Sequence, residues 1–162
     1  MQTFLITSDL SESLRILDDK RLGKQRVETF QIINVITGRP KLDGTPYKGW
    51  INHPASILWR NHAPLLKMYF NESIEEWVRR GFKNTMKKEI IDEPITYPSW
   101  WGNQKFHDSH KSNLLKKDYD FYSRYGWNVD PSNPYVWIDK EGKWYEQHSG
   151  KKGRVYYEAL AV

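Results

Sequence analysis

The chain contains no cysteine. Disulfide frameworks, cysteine-ligated zinc and thiol catalysis are therefore excluded. No apolar run approaches the roughly 20 residues that span a bilayer. The opening Met1-Gln2-Thr3-Phe4-Leu5-Ile6 is too short for a secretory signal. A cytoplasmic protein without a membrane partner is expected, in the host cytoplasm if the source is viral. There is no Gly-rich phosphate loop, no Gly-x-Ser-x-Gly, no His-Glu-x-x-His and no EF-hand loop. His107 and His110 have metal-like spacing but no obvious third ligand nearby. No metal and no cofactor are expected. Internal repeats and low-complexity segments are also missing.

What is present points toward a polyanion. Lys and Arg number 25 against 20 Asp and Glu, a net charge of +5. That balance favours a nucleic-acid partner, though modestly. Eight Trp, ten Tyr and six Phe make 15% of the chain. Exposed rings of this kind stack on bases, at about 1–3 kcal/mol per base; a well-filled core accounts for most of them equally well. At 162 residues, one domain with a real core is the simplest organisation.

Local signals describe a mainly α, compact single-domain fold with a small C-terminal β-hairpin. A long first helix fits Glu12 to Thr37, capped beyond by Gly38. Gly23 lies inside it, which implies a helix break or a close ligand backbone. Residues 40–53 read as loop. A second helix fits Ala55 to Tyr69, interrupted by Pro64, and a third fits Ile74 to Arg80. Residues 92–106 read as an aromatic, Pro-rich loop before a helix over His107–Tyr125. Tyr135–Ile138 and Lys143–Tyr145 read as a hairpin around Asp139–Gly142, followed by a basic turn at Lys151–Arg154. Residues 1–127 form the helical core in this reading. Residues 128–162 pack on the same domain as hairpin and tail.

The densest chemistry lies in Leu17–Glu28, where four cations, three carboxylates and one glycine fall within twelve residues. On a helix, Arg21, Lys24, Gln25 and Glu28 share one outward face, with Val27, Phe30 and Ile33 opposite. Lys20, Arg21 and Arg26 suit phosphate. Glu28, or Asp18 and Asp19, would stabilise a cationic sugar or activate water. The same residues also fit an exposed i,i+4 charge lattice such as Lys24/Glu28. Elsewhere, His53, Asn61 and His62 flank Trp59, a stacking candidate, and Arg60, a phosphate ligand; a core Trp with a snorkelling Arg is the alternative. Lys111, Ser112 and Asn113 read as a phosphate seat at a helix start.

Several of these stretches resemble the phage pyrimidine-dimer DNA glycosylases of the endonuclease V type. They are Asn52-His53-Pro54-Ala55-Ser56-Ile57-Leu58 with His62, Arg80-Gly81-Phe82, Tyr122-x-x-Tyr125-Gly126, and Arg26-Val27 in the first helix. The full Arg21-Leu22-Gly23-Lys24-Gln25-Arg26-Val27-Glu28 pattern resembles a divergent branch. The resemblance spans about residues 1–127 and implies a mostly helical domain that flips a base and cleaves its N-glycosidic bond. It further implies attack of the N-terminal amine on the sugar C1′, assisted by a first-helix glutamate and arginines. The resulting imine permits strand cleavage.

Two departures stand out. Gln2 occupies the place of the family's small Thr, so the amine falls on Met1. Gly23 occupies the place of the family's glutamate, and Glu28 lies about 140° further around a straight helix. Asp18, Asp19 and Glu28 are each candidates for its role, with Lys24 beside them. The expected function is excision of a damaged or modified pyrimidine from duplex DNA by a monomer, through an amine or through water. A non-catalytic DNA-binding module is the first alternative. An enzyme of a nucleotide-like small anion is the second.

Overall fold

The computed structural model describes residues 1–149 and 155–160. The expected turn at Lys151–Arg154 lies outside them. Among the described residues, six α-helices lead into a three-stranded antiparallel sheet: α1 (Leu10–Arg15), α2 (Asp19–Thr37), α3 (Pro54–Trp59), α4 (Ala63–Arg79), α5 (Gln104–Lys117), α6 (Tyr119–Tyr122), β1 (Tyr135–Ile138), β2 (Trp144–Ser149) and β3 (Val155–Ala159). The mainly α expectation holds.

The first helix is two helices, because Asp18 adopts an extended conformation and caps α2 by accepting from the Arg21 amide. Gly38 ends α2 at φ 74°, a left-handed C-cap suited to glycine. The helix neither breaks at Gly23 nor leaves room there for a ligand. A Cβ at Gly23 would stand 3.2 Å from the Trp77 ring of α4, so the glycine serves the packing of α2 on α4. The expected interruption near Pro64 exists, at Arg60–His62, with Asn61 at φ 70°. The third helix does not start separately. Its expected start at Ile74 lies within α4, which runs unbroken to Arg79 because its buried face supplies Leu66, Tyr69, Phe70, Ser73 and Ile74 to the core.

The extended arm 1–6 threads through the protein centre. Residues 2–6 are buried, yet among the described residues the arm pairs with no strand. Its backbone is satisfied by side chains instead. Gln25 Oε1 accepts from the Phe4 amide at 2.8 Å, His110 Nδ1 from Leu5 at 2.9 Å and Ser13 Oγ from Ile6 at 3.1 Å. Tyr69 donates to the Phe4 carbonyl, His107 to that of Leu5, and Gln25 Nε2 to that of Gln2. Buried backbone groups require such partners, which explains why Gln25, His107 and His110 lie inside. The pair His107 and His110 is thus committed to the arm.

The hairpin pairs Tyr135 with Gln147 and Trp137 with Tyr145, and β3 adds a further strand beside β2. The β1 strand packs on α5 and α3, and Trp137 and Ile138 join the core.

Candidate active site

The buried arm delivers the start of the chain to α2. The Gln2 amide donates to Glu28 Oε2 at 3.2 Å. Next to this bond opens a cavity of about 270 Å³ whose lining includes Met1, Gln2, Lys20, Arg21, Lys24 and Glu28 of the arm and α2. Helical spacing accounts for the α2 contribution, since residues 21, 24, 25 and 28 recur within one stripe. His53, the N-cap of α3, and Lys117 of α5 also line it, with Tyr135, Trp137 and Gln147 from the sheet. Tyr135, Trp137 and Gln147 share a sheet face, as strand alternation requires.

Among the described residues lining this cavity, Lys20, Arg21, Lys24 and Lys117 are cationic and Glu28 is the one carboxylate. Burial and repulsion from Arg21 and Lys24 lower the Lys117 pKa, against the pull of Glu28. Burial and the chain's amino terminus depress His53 to about 4. Its Nδ1 accepts from the Ala55 amide at the start of α3, so the neutral ring carries its proton on Nε2. Burial first, then Glu28, pushes the Tyr135 phenol well above its usual value.

Asp18 does not line this cavity. It accepts from Arg21 Nη1 at 3.1 Å and from the Tyr122 hydroxyl. Burial works against its carboxylate, yet these two hydrogen bonds and the Arg21 charge hold its pKa below the ordinary value. Asp18 therefore orients Arg21 rather than facing the cavity itself. Asp19 points elsewhere and pairs with Arg80 at 3.0 Å.

Other expected site residues lie apart. Arg26 leaves the far side of α2, stacks 4.2 Å over Trp77 and donates to Asn84. Arg60, Asn61 and His62 line a separate hollow shared with Lys140. Trp59 is fully buried and donates to Thr3 Oγ1 at 2.8 Å, so it is core and not a stacking platform. Lys111, Ser112 and Asn113 do not start a helix. The helix α5 begins at Gln104 with Asn103 as cap, which leaves these three in its middle. Ser112 and Asn113 are buried and donate to backbone carbonyls, and Lys111 pairs with Asp108.

The outward face assigned to α2 also needs revision. Gln25 is 1% exposed, held by the arm, whereas Val27, expected inside, is 46% exposed. Gln2, Lys117, Tyr135, Trp137 and Gln147 were not anticipated as cavity residues. They come from four distant segments, and no local pattern links them.

Among the described residues, four cations and one carboxylate line this small cavity beside the start of the chain, a balance of charge that favours an anion. The chain belongs to the pyrimidine dimer DNA glycosylase family, whose profile matches residues 1–90. It is thus a member of a family of DNA repair enzymes whose substrate is DNA. No curated protein and no solved structure shows significant similarity to it. Among the described residues no helix is long and apolar enough to cross a membrane.

Proposed function

We propose that the protein, acting as a monomer, excises a damaged or modified pyrimidine from duplex DNA through the α-amine of Met1. The observation that carries this reading is the shared cavity of Met1 and Glu28, with the Gln2 amide 3.2 Å from the carboxylate. Lys20, Arg21, Lys24 and Lys117 hold the phosphates beside a flipped nucleotide. The Met1 nitrogen lone pair bonds to the sugar C1′ while the N-glycosidic bond breaks. The bonding electrons leave with the base, which takes up a proton. Glu28 stabilises the positive charge that develops on the sugar and accepts the proton lost from the amine. Opening of the sugar ring gives an imine between Met1 and C1′. The imine acidifies the C2′ hydrogen, and its removal expels the 3′-phosphate, which is the lyase step.

Support also comes from how the arm is fixed. Six hydrogen bonds from Gln25, Tyr69, His107, His110 and Ser13 hold its backbone. A nucleophile needs such fixed placement, because misplacement by about 1 Å can cost 100-fold. The test is a mass-spectrometric screen for free bases released from duplexes carrying ultraviolet damage, alkylation and modified pyrimidines. Release of a pyrimidine product with concurrent strand cleavage is the expected result. Salt-dependent DNA binding with no base released from any substrate would leave only a binding module.

A further inference from the structure

The turn that leads into α3 carries two exposed apolar side chains, Trp50 at 38% and Ile51 at 44%. Trp50 ends a short 3₁₀ helix, Lys48–Trp50, and the His53 amide donates to its carbonyl at 3.1 Å. The turn is thereby tied to the start of α3. The Trp50 ring centroid lies 5.4 Å from that of His53, which lines the cavity together with Met1 and Trp137. Trp50 does not line the cavity itself, so it stands at the rim, outside the space in which a flipped nucleotide would sit. Two cations brace the same turn. Arg60 Nη2 donates to the Ile51 carbonyl at 3.3 Å, and Lys140 Nζ donates to Asn52 Oδ1 at 3.0 Å. Arg60, Lys140 and Lys48 are all exposed. A single exposed apolar side chain needs no explanation. An aromatic ring held at the mouth of a cationic cavity, with three further cations around it, has the composition of a surface that enters a base stack and grips the phosphates beside it.

We propose that Trp50 enters the DNA duplex as the target nucleotide leaves it and fills the gap left in the base stack, with Lys48, Arg60 and Lys140 holding the adjoining phosphates. This rests on the reading of the cavity as the seat of a flipped nucleotide. Flipping breaks the stacking on both faces of the vacated position. A flat ring inserted there restores stacking contacts and obstructs the return of the base. Stacking on an aromatic ring tolerates any neighbouring base, so the insertion adds no sequence preference. Trp50 is a positioning residue: it acts on the target by keeping the nucleotide out of the helix.

The test compares binding of the full-length protein to a duplex carrying a tetrahydrofuran abasic analogue, in which the gap already exists, with binding to the same duplex intact. The parent is expected to prefer the abasic duplex. Trp50→Ala is expected to reduce that preference about tenfold through loss of one aromatic stack, with its melting temperature near that of the parent. Trp50→Phe, which keeps a flat ring, is expected to restore most of it. Should Trp50→Ala fail to fold, Trp50→Gln carries the same expectation. A 2-aminopurine placed next to the gap gives a direct signature: its emission is expected to be quenched by the parent and to stay bright with Trp50→Ala. An equal preference in the parent and the folded variant, or equal quenching by both, overturns the proposal. Base release by a parent whose abasic preference does not depend on Trp50 refutes the insertion and leaves the glycosylase reading standing. A Trp50-dependent preference with no base released from any duplex does the reverse.

Discussion

The Gln2 backbone amide and the Glu28 carboxylate meet at 3.2 Å across 26 residues of chain. Through this contact the first residue of an extended arm and the middle of α2 share one cavity. Glutamate at position 28 has the orientation that a straight helix gives it. The arm comes to it, because buried side chains on α1, α2, α4 and α5 hold the arm in place.

Substituting Glu28→Gln keeps an acceptor for the Gln2 amide and removes the charge. Base release is expected to fall by about 10²–10⁴-fold, the usual contribution of a proton-transferring group. Binding to duplex DNA is expected to hold or strengthen, since a negative charge leaves a phosphate-binding surface. Single-turnover kinetics and a binding titration check both. An unchanged rate contradicts the role given to Glu28.

The cationic rim predicts a salt signature. Changing Lys20, Lys24 or Lys117 to Ala is expected to reduce the slope of log affinity against log salt by about one each. Lys88, paired with Glu75 away from the cavity, is expected to leave that slope unchanged when replaced by Ala. Titrations at several salt concentrations decide it.

Gly23 predicts a packing effect. The Trp77 ring that a Cβ would meet at 3.2 Å itself stacks with Phe82 and against the Arg26 guanidinium, and its indole donates to the Lys83 carbonyl. It has little freedom to retreat. Gly23→Ala is expected to yield less than the roughly 1 kcal/mol that helix propensity offers. Gly23→Leu is expected to destabilise by about 1–3 kcal/mol through overpacking. Denaturant unfolding measures both.

That glycine also illustrates what a linear reading can see. Helical spacing correctly placed Arg21, Lys24 and Glu28 in one stripe, and the hairpin at Tyr135–Tyr145 followed from strand alternation and a turn at Asp139–Gly142. The reason for Gly23 lay in Trp77, more than 50 residues away in sequence, so a helix break was the natural but wrong expectation. Gln25 and His110 looked like surface or ligand chemistry. They are interior because the buried backbone of the arm takes its hydrogen bonds from side chains, and that demand has no local signature. The cavity wall from Lys117, Tyr135 and Gln147 depends on docking of α5 and the sheet, which periodicity within one element does not encode.

Three histidines shape stability against pH. Burial lowers the pKa of His110 to about 3 and that of His107 below its usual value; burial and the amino terminus take His53 to about 4. In the unfolded chain each titrates near 6.5. Between these limits the unfolded state binds protons that the folded state refuses, so stability is full above about pH 6.5 and falls as pH falls. Fully buried His110 alone contributes a slope of up to about 1.4 kcal/mol per pH unit below that point. His110→Asn retains an acceptor for the Leu5 amide and is expected to flatten the decline between pH 6 and 4. Unfolding titrations across that range test it.

The central claim is that the amine of Met1 is the nucleophile. Borohydride added during turnover on a damaged-pyrimidine duplex reduces the imine to a stable protein–DNA bond, and peptide mass mapping locates it. The expected result is a covalent adduct on the nitrogen of Met1, lost in Glu28→Gln. Base release with no trapped adduct, or an adduct on Lys24 or another lysine, would contradict it.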